Sequence, residues 1–171
     1  MVTIRPVVEG DLAALDTAFS AGEYFARRFA DGRAGRCVLL AGWDGPTPVA
    51  HGYLWDAPDP ESPQHLSAME SVRTHLAGVP LLQSLHVAAN QRRRGIGRLM
   101  VAALERAAVD RGHRRVALGV DPDNIPALRL YQSLGYHDWP HGPIEISYDG
   151  VAEDGTTQTF TESSMMMLKD L

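Results

Sequence analysis

A mixed α/β fold, a sheet with helices on its faces, is what this 171-residue sequence predicts, and three observations predict it. A strand-like run, Leu81 to Val87, leads through an Arg- and Gly-rich turn into the most regular amphipathic helix of the chain. A second apolar run, Val116 to Val120, follows that helix. This order is a βαβ unit, which implies parallel strands joined by a right-handed crossover. Elsewhere, Cys37 to Ala41 and Val49 to Trp55 flank the turn residues Trp43-Asp44-Gly45-Pro46, and predict an antiparallel hairpin. The length suits one core, so residues 1–171 are expected to form a single domain.

The remaining elements follow in order. Thr3 to Val8 predicts a first strand, and Pro6 inside it predicts a sheet edge. Asp11 is placed to cap a helix carrying Leu12, Leu15 and Phe19. A second helical stretch runs from Ala21 to Ala30. Asp56 to Pro63 is Pro-rich and acidic and reads as a loop, and His65 to Leu76 as a short helix. In the helix after the turn, Ile96, Leu99, Met100, Ala103, Leu104, Ala107 and Ala108 follow one 3.6-residue stripe, and Gly112 is placed to stop it. Pro126 lies in the first turn of a further helix that Gly135 ends. Ile144 to Tyr148 and Ser163 to Leu168 offer two more strands.

Composition removes several function classes. With 44% hydrophobic and 22% charged residues the chain is of ordinary globular make-up, not disordered, collagenous or coiled-coil. No apolar run approaches the roughly 18 residues of a spanning helix, and Glu9 and Asp11 follow the N-terminus closely, so a cytoplasmic protein with no membrane partner is expected. The single cysteine, Cys37, cannot form an internal disulfide, and with 7 scattered histidines it matches no zinc spacing, so no metal is expected. A formal net charge of -5 disfavours nucleic acid as a partner.

One segment carries an electrostatic conflict. Residues 92 to 98 read Arg-Arg-Arg-Gly-Ile-Gly-Arg at the start of a helix, with no acid between Gln91 and Met100. A helix N-terminus carries partial positive charge and unpaired N–H donors, which disfavours each cation by a few tenths to ~1 kcal/mol. A bound anion removes the conflict, and Gly95 and Gly97 let backbone N–H groups approach it. A pyrophosphate meets these demands. The Gly-Lys-Ser/Thr ending of a P-loop and the third glycine of a dinucleotide fingerprint are both missing.

Arg92, Gly95 and Gly97 in Arg92-Arg-Arg-Gly-Ile-Gly resemble the Arg/Gln-x-x-Gly-x-Gly/Ala acetyl-CoA motif of the GNAT superfamily of N-acetyltransferases. Downstream, Asn124, Ala127, Tyr131, Gly135 and Tyr136 are similar to that family's Asn-x-x-Ala-x-x-x-Tyr-x-x-x-Gly-Phe/Tyr segment, and Ile4-Arg5-Pro6 with Asp11-Leu12 is typical of its opening. The likeness is close over residues 85 to 136 and extends to the rest of the chain only as fold. It implies a mostly antiparallel mixed sheet of about six or seven strands, splayed at the cofactor site, with about four helices on its faces.

The resemblance also implies an acetyl-CoA-dependent N-acetyltransferase acting on a primary amine of a small molecule or peptide, and it allows a homodimer. Backbone groups of Leu85 and Val87 would hydrogen-bond the pantetheine arm, with His86 a bystander at a backbone-contact position. Arg92, Arg93, Arg94, Gly95, Ile96, Gly97 and Arg98 would hold the pyrophosphate, although three arginines in a row cannot all face one anion. Asn124 would either cap its helix or hydrogen-bond the cofactor arm. Tyr131 would donate a proton to the departing thiolate, against the alternative of an aromatic packed in the core. The amine would attack directly in a ternary complex, with a backbone N–H near Val87 steadying the oxyanion. Cys37 as a covalent nucleophile is disfavoured, since no basic partner is near it in sequence.

The general base is not evident. Regular alternation along the strand presents Leu81, Gln83 and Leu85, none of which titrates, so Glu70 and His75 in the preceding segment are the candidates. Asp56, Asp59, Glu61, Glu70, Asp149, Glu153 and Asp154 are placed to attract a cationic amine, or are simply soluble surface. A rival reading is an acyl-CoA-binding module without catalysis, serving as sensor or scaffold. A nucleic-acid binder using the Arg run is disfavoured by the acidic balance.

Overall fold

The computed structural model describes residues 1–57, 66–151 and 156–171. Among them lie strands β1 (Val2–Pro6), β2 (Cys37–Asp44), β3 (Thr47–Trp55), β4 (Leu81–Val87), β5 (Arg115–Val120), β6 (His137–Asp138), β7 (Ile144–Val151) and β8 (Thr157–Asp170). The α-helices are α1 (Leu12–Phe19), α2 (Tyr24–Arg33), α3 (Glu70–His75), α4 (Ile96–Asp110) and α5 (Ile125–Ser133). The fold is the expected mixed α/β class, and its strand pairs β1–β2, β2–β3, β3–β4, β6–β8 and β7–β8 are antiparallel. The residues group into two compact units: Met1–Ala57 with Pro80–Val116 and Asp170–Leu171, and residues 58–79 with 117–169.

In the first unit the strands run β1-β2-β3-β4. Pro6 ends the edge strand β1 opposite Leu40, where its missing N–H costs no interior ladder bond. The β2–β3 hairpin turns through Gly45 and Pro46, as the turn residues predict. β3 is buried along nearly its whole length because helices cover both of its faces. His51 meets Phe19, Tyr24 and Phe25 of α1 and α2, whereas a Cβ at Gly52 would meet Leu104 of α4 at 3.4 Å. Consecutive strand residues face opposite ways, so the α1–α2 pair and α4 lie on opposite faces. Full burial of Leu15, Phe25, Leu54 and Leu104 stabilises this core by about 1.5–3 kcal/mol per side chain.

Three local expectations change here. Along α4 the buried positions are Ile96, Met100, Val101, Leu104 and Ala108, so Val101 joins the stripe and Leu99, 47% exposed, leaves it. Asp11 makes no side-chain cap on α1. Its carboxylate turns back to a two-pronged pair with Arg5, at 2.6 and 2.8 Å, and accepts from the Val8 N–H at 2.9 Å. A bidentate guanidinium outcompetes one neutral N–H, and the Arg5 hydrogen bond chiefly holds the Asp11 carboxyl below its usual range. Asp56, expected as a lure for amines, is committed: it accepts from Arg111 at 2.6 Å and pairs with His113 at 2.7 Å.

In the second unit β8 lies between β5 and β6, and its outer half pairs with β7, Ile144 opposite Ser164 through Val151 opposite Thr157. This hairpin is longer than its apolar residues suggest. The expected helix His65 to Leu76 is a single 3-10 turn, Leu66–Ala68, followed by the short α3; residue 65 lies outside the described residues. Asp59, Glu61, Glu153 and Asp154 lie outside them as well, as does the side chain of Asp149.

Candidate functional site

β4 does not alternate regularly. Ala50 pairs with Val87 and His51 with His86, but Tyr53 pairs with Gln83, so Ser84 and Leu85 together oppose Gly52. The extra residue is a β-bulge, and Ser84 takes a left-handed φ of 50° to make it, a conformation that strains a non-glycine residue. The bulge resets the faces. Gln83 points with Tyr53, whose hydroxyl donates to Gln83 Oε1 at 3.0 Å. His86 points with His51, ring centres 5.5 Å apart. Without the bulge Gln83 and Leu85 would share a face; with it Gln83 and His86 do.

The result is a cavity of about 430 Å³ lined by Phe19, Ala21, Tyr24, His51, Ser84, Leu85 and His86. His51 is 8% exposed, and its Nδ1 is enclosed with no hydrogen-bond partner. Burial, helped by neighbouring His86, lowers its pKa to about 4. His86 stays exposed to the cavity. Its pKa is also lowered, first by partial burial and then by the charge of Arg92, so its imidazole is neutral at neutral pH. A neutral, reachable imidazole can accept a proton. The residue expected as a bystander is thus an exposed, titratable group on the cavity wall. Sequence alternation misses it because nothing in Gln-Ser-Leu-His announces a bulge.

β4 runs on into the Arg-rich turn. Ala88 N–H closes on Val49 O at 2.9 Å, and Arg92 Nε donates to Val87 O at 3.2 Å. Arg93 takes a left-handed φ of 66°. Arg94 is turned away to a brace: both terminal nitrogens reach Asp44 Oδ2 at 3.1 Å, and it also donates to Gln91. Arg94, with the N-terminal ammonium 3.5 Å away, holds the Asp44 carboxyl below its usual range. The chain itself therefore offsets one of the crowded charges. Gly95 opens α4 at φ 78° with open space where a Cβ would stand, and no side chain caps the helix start. Uncapped N–H groups beside guanidinium groups form a donor set suited to a diphosphate such as that of acetyl-CoA.

In the second unit Asn124 Oδ1 accepts from Ala127 N–H at 3.3 Å, which is the capping role, and Pro126 follows in the first turn of α5. Tyr131 is buried, its ring 5.7 Å from Tyr136, and burial raises its phenol to about 12. Glu70 is exposed at the start of α3, and His75 stacks on His141 at 3.6 Å. Among the described residues no group of three or more His, Cys, Asp or Glu could hold a metal ion, and no helix is long and apolar enough to cross a membrane.

Known proteins place this geometry. The family model described as the acetyltransferase (GNAT) family matches residues 11–136. No curated protein matches the chain. Among solved structures, an N-acetyltransferase from Staphylococcus aureus Mu50 superposes with a TM-score of 0.68 at 15% identity, over 99% of this chain and 98% of that one. A ribosomal-protein-alanine N-acetyltransferase from Brucella melitensis gives 0.67 at 22% identity, over 99% of both chains. A GNAT family acetyltransferase from Elizabethkingia anophelis with acetyl-CoA bound gives 0.59 at 15% identity, over 99% and 98%. At these identities the likeness is one of fold, while the family match spans most of the chain and includes both the Arg-rich turn and the Tyr131 segment: the chain belongs to the GNAT family of acetyltransferases.

Proposed function

We propose that residues 1–171 work as one catalytic domain that moves an acetyl group from acetyl-CoA to a primary amine, by direct attack with both substrates bound and with His86 as the base. The observation that carries this reading is the bulge at Ser84, which sets a neutral imidazole on the wall of a cavity in the same strand that runs into the Arg92–Arg98 turn. Acetyl-CoA supplies the activated acyl group and a thiol leaving group of pKa near 8.5. Backbone N–H groups at Gly95, Ile96 and Gly97, with Arg92, Arg93 and Arg98, hold its diphosphate; Arg94 braces the turn. Backbone groups of Leu85 and Val87 pair with its amide arm.

An imidazole nitrogen of His86 takes the proton that the amine loses as its nitrogen bonds to the acyl carbon. Tyr131 keeps its proton and offers the O–H to the departing sulfur. Glu70 gives way to His86 as the base, because it stands exposed at a helix start.

The test is thiol release across a panel of amines, with calorimetry for coenzyme A. His86→Gln should lower turnover by about 10²–10⁴-fold, the range of a lost general base, with coenzyme A affinity unchanged. Tight coenzyme A binding with no thiol release from any amine would favour the non-catalytic binding module instead.

A further inference from the structure

We infer that the acceptor is an amine carried on a flat, uncharged aromatic body, an arylalkylamine in chemical class, seated among Phe19, Tyr24, His51 and Ser84 with its nitrogen at His86. This rests on the acyl-transfer reading above and adds the substrate class.

Phe19, Tyr24, His51 and His86 bring rings, Ala21 and Leu85 bring aliphatic surface, and Ser84 brings a hydroxyl. Among the described residues, no carboxylate, Lys or Arg lines the cavity. A second ammonium finds no carboxylate among those described lining residues, and its partial desolvation there is unfavourable. A neutral ring system loses nothing on entry and gains edge and face contacts. The histidines do not alter this neutrality, since burial keeps both imidazoles uncharged at neutral pH.

The rings also hold one another in place. Phe19 stands edge-on to His51 at 4.7 Å and to His86 at 5.5 Å, and Tyr24 lies 5.6 Å from His51. Side chains already ordered lose little freedom when a planar ligand docks. At about 430 Å³ the space is of the size that holds a small organic ligand.

The contrast lies in the second unit. A cavity of about 520 Å³ there is lined by Asp121, Asp123 and Glu162 with Thr161, Ser163 and Ser164. It carries the charge a polyamine needs and none of the rings.

The experiment uses the full chain with acetyl-CoA and compares tryptamine, tyramine and phenethylamine with butylamine, spermidine and an alanine-started peptide. The expected kcat/KM for tryptamine exceeds those for butylamine and spermidine by about 10–200-fold, the scale on which an apolar pocket discriminates. Ala21→Trp, which fills the cavity from the α1–α2 connection and leaves the core untouched, should raise KM for tryptamine about 10-fold or more with coenzyme A affinity unchanged. Without any acetyl-CoA, phenethylamine should shift the imidazole resonances of His51 and His86, and spermidine should not. Preference for spermidine or the peptide would leave acyl transfer standing and overturn this assignment, moving the acceptor to the acidic cavity. Imidazole shifts with phenethylamine but no thiol release from any amine would uphold the cavity's ligand class and sink the acyl-transfer reading. Unmoved resonances would overturn the assignment whatever the kinetics.

Discussion

The imidazoles of His51 and His86 face each other 5.5 Å apart and within 15° of parallel, one largely buried and the other open to the cavity. Protonating either ring places a cation against the other. For His86 the larger influence is partial burial, then the positive charge of Arg92; both disfavour the imidazolium. A base works only when neutral. The kcat/KM profile should therefore rise with pH and level off at a midpoint below about 6.5, the ordinary histidine value. Arg92→Ala should move that midpoint up, and His86→Gln should abolish it. A midpoint unmoved by either change would take His86 out of the proton transfer.

His51 turns the same burial into a stability effect. Its folded pKa is about 4 against about 6.5 in the unfolded chain. Between those values the unfolded state binds more protons, so stability is full above pH 6.5 and falls as pH drops toward 4. The lost stability is on the order of 3 kcal/mol. His51→Phe should flatten this part of the curve of unfolding free energy against pH. A wild-type protein equally stable at pH 4.5 and pH 7 would contradict the assignment.

What could be read in the sequence followed periodicity and local turn chemistry. The edge Pro6, the Gly45-Pro46 hairpin, the cap at Asn124 and the start of α4 at Gly95 are each decided by a residue and its immediate neighbours. The place of His86, the proposed base, was not legible, because it depends on one inserted residue in β4. Ser84 takes φ 50° where β4 carries two residues opposite Gly52, with β3 fixing the register on both sides. The roles of Asp11 and Asp56 were hidden for a related reason. Each is set by an arginine from elsewhere in the chain, Arg5 from β1 and Arg111 from beyond α4.

The pairing of Arg94 with Asp44 divides the arginines of the turn by task. Arg94 is already engaged by a carboxylate and by Gln91. Arg93 makes no ion pair among the described residues. Arg94→Ala should leave coenzyme A affinity within about 3-fold and stability little changed, as for an exposed pair. Arg93→Ala should weaken coenzyme A by about 10-fold or more, the value of one charge-assisted hydrogen bond to phosphate. Calorimetry on the two variants decides it; equal losses would mean that Arg94 leaves Asp44 to reach the anion.

Tyr131 is the last group whose chemistry follows from its surroundings. Burial raises its phenol to about 12, whereas the thiol of coenzyme A ionises near 8.5. Full transfer of the phenolic proton to the thiolate is then uphill by about 5 kcal/mol. In the proposed reaction the O–H would then serve by donating a hydrogen bond to sulfur as charge builds there, staying protonated throughout. Two consequences follow. Turnover should show no loss on the alkaline side up to about pH 10, since a phenol raised to about 12 is still protonated there. Tyr131→Phe should lower turnover by about 10–1000-fold without moving the acid limb set by His86, because the stabilising donor is lost and the base is not. A rate unchanged in Tyr131→Phe under chemistry-limited conditions would remove the residue from the reaction. An alkaline limb that disappears in the variant would restore it as a true acid.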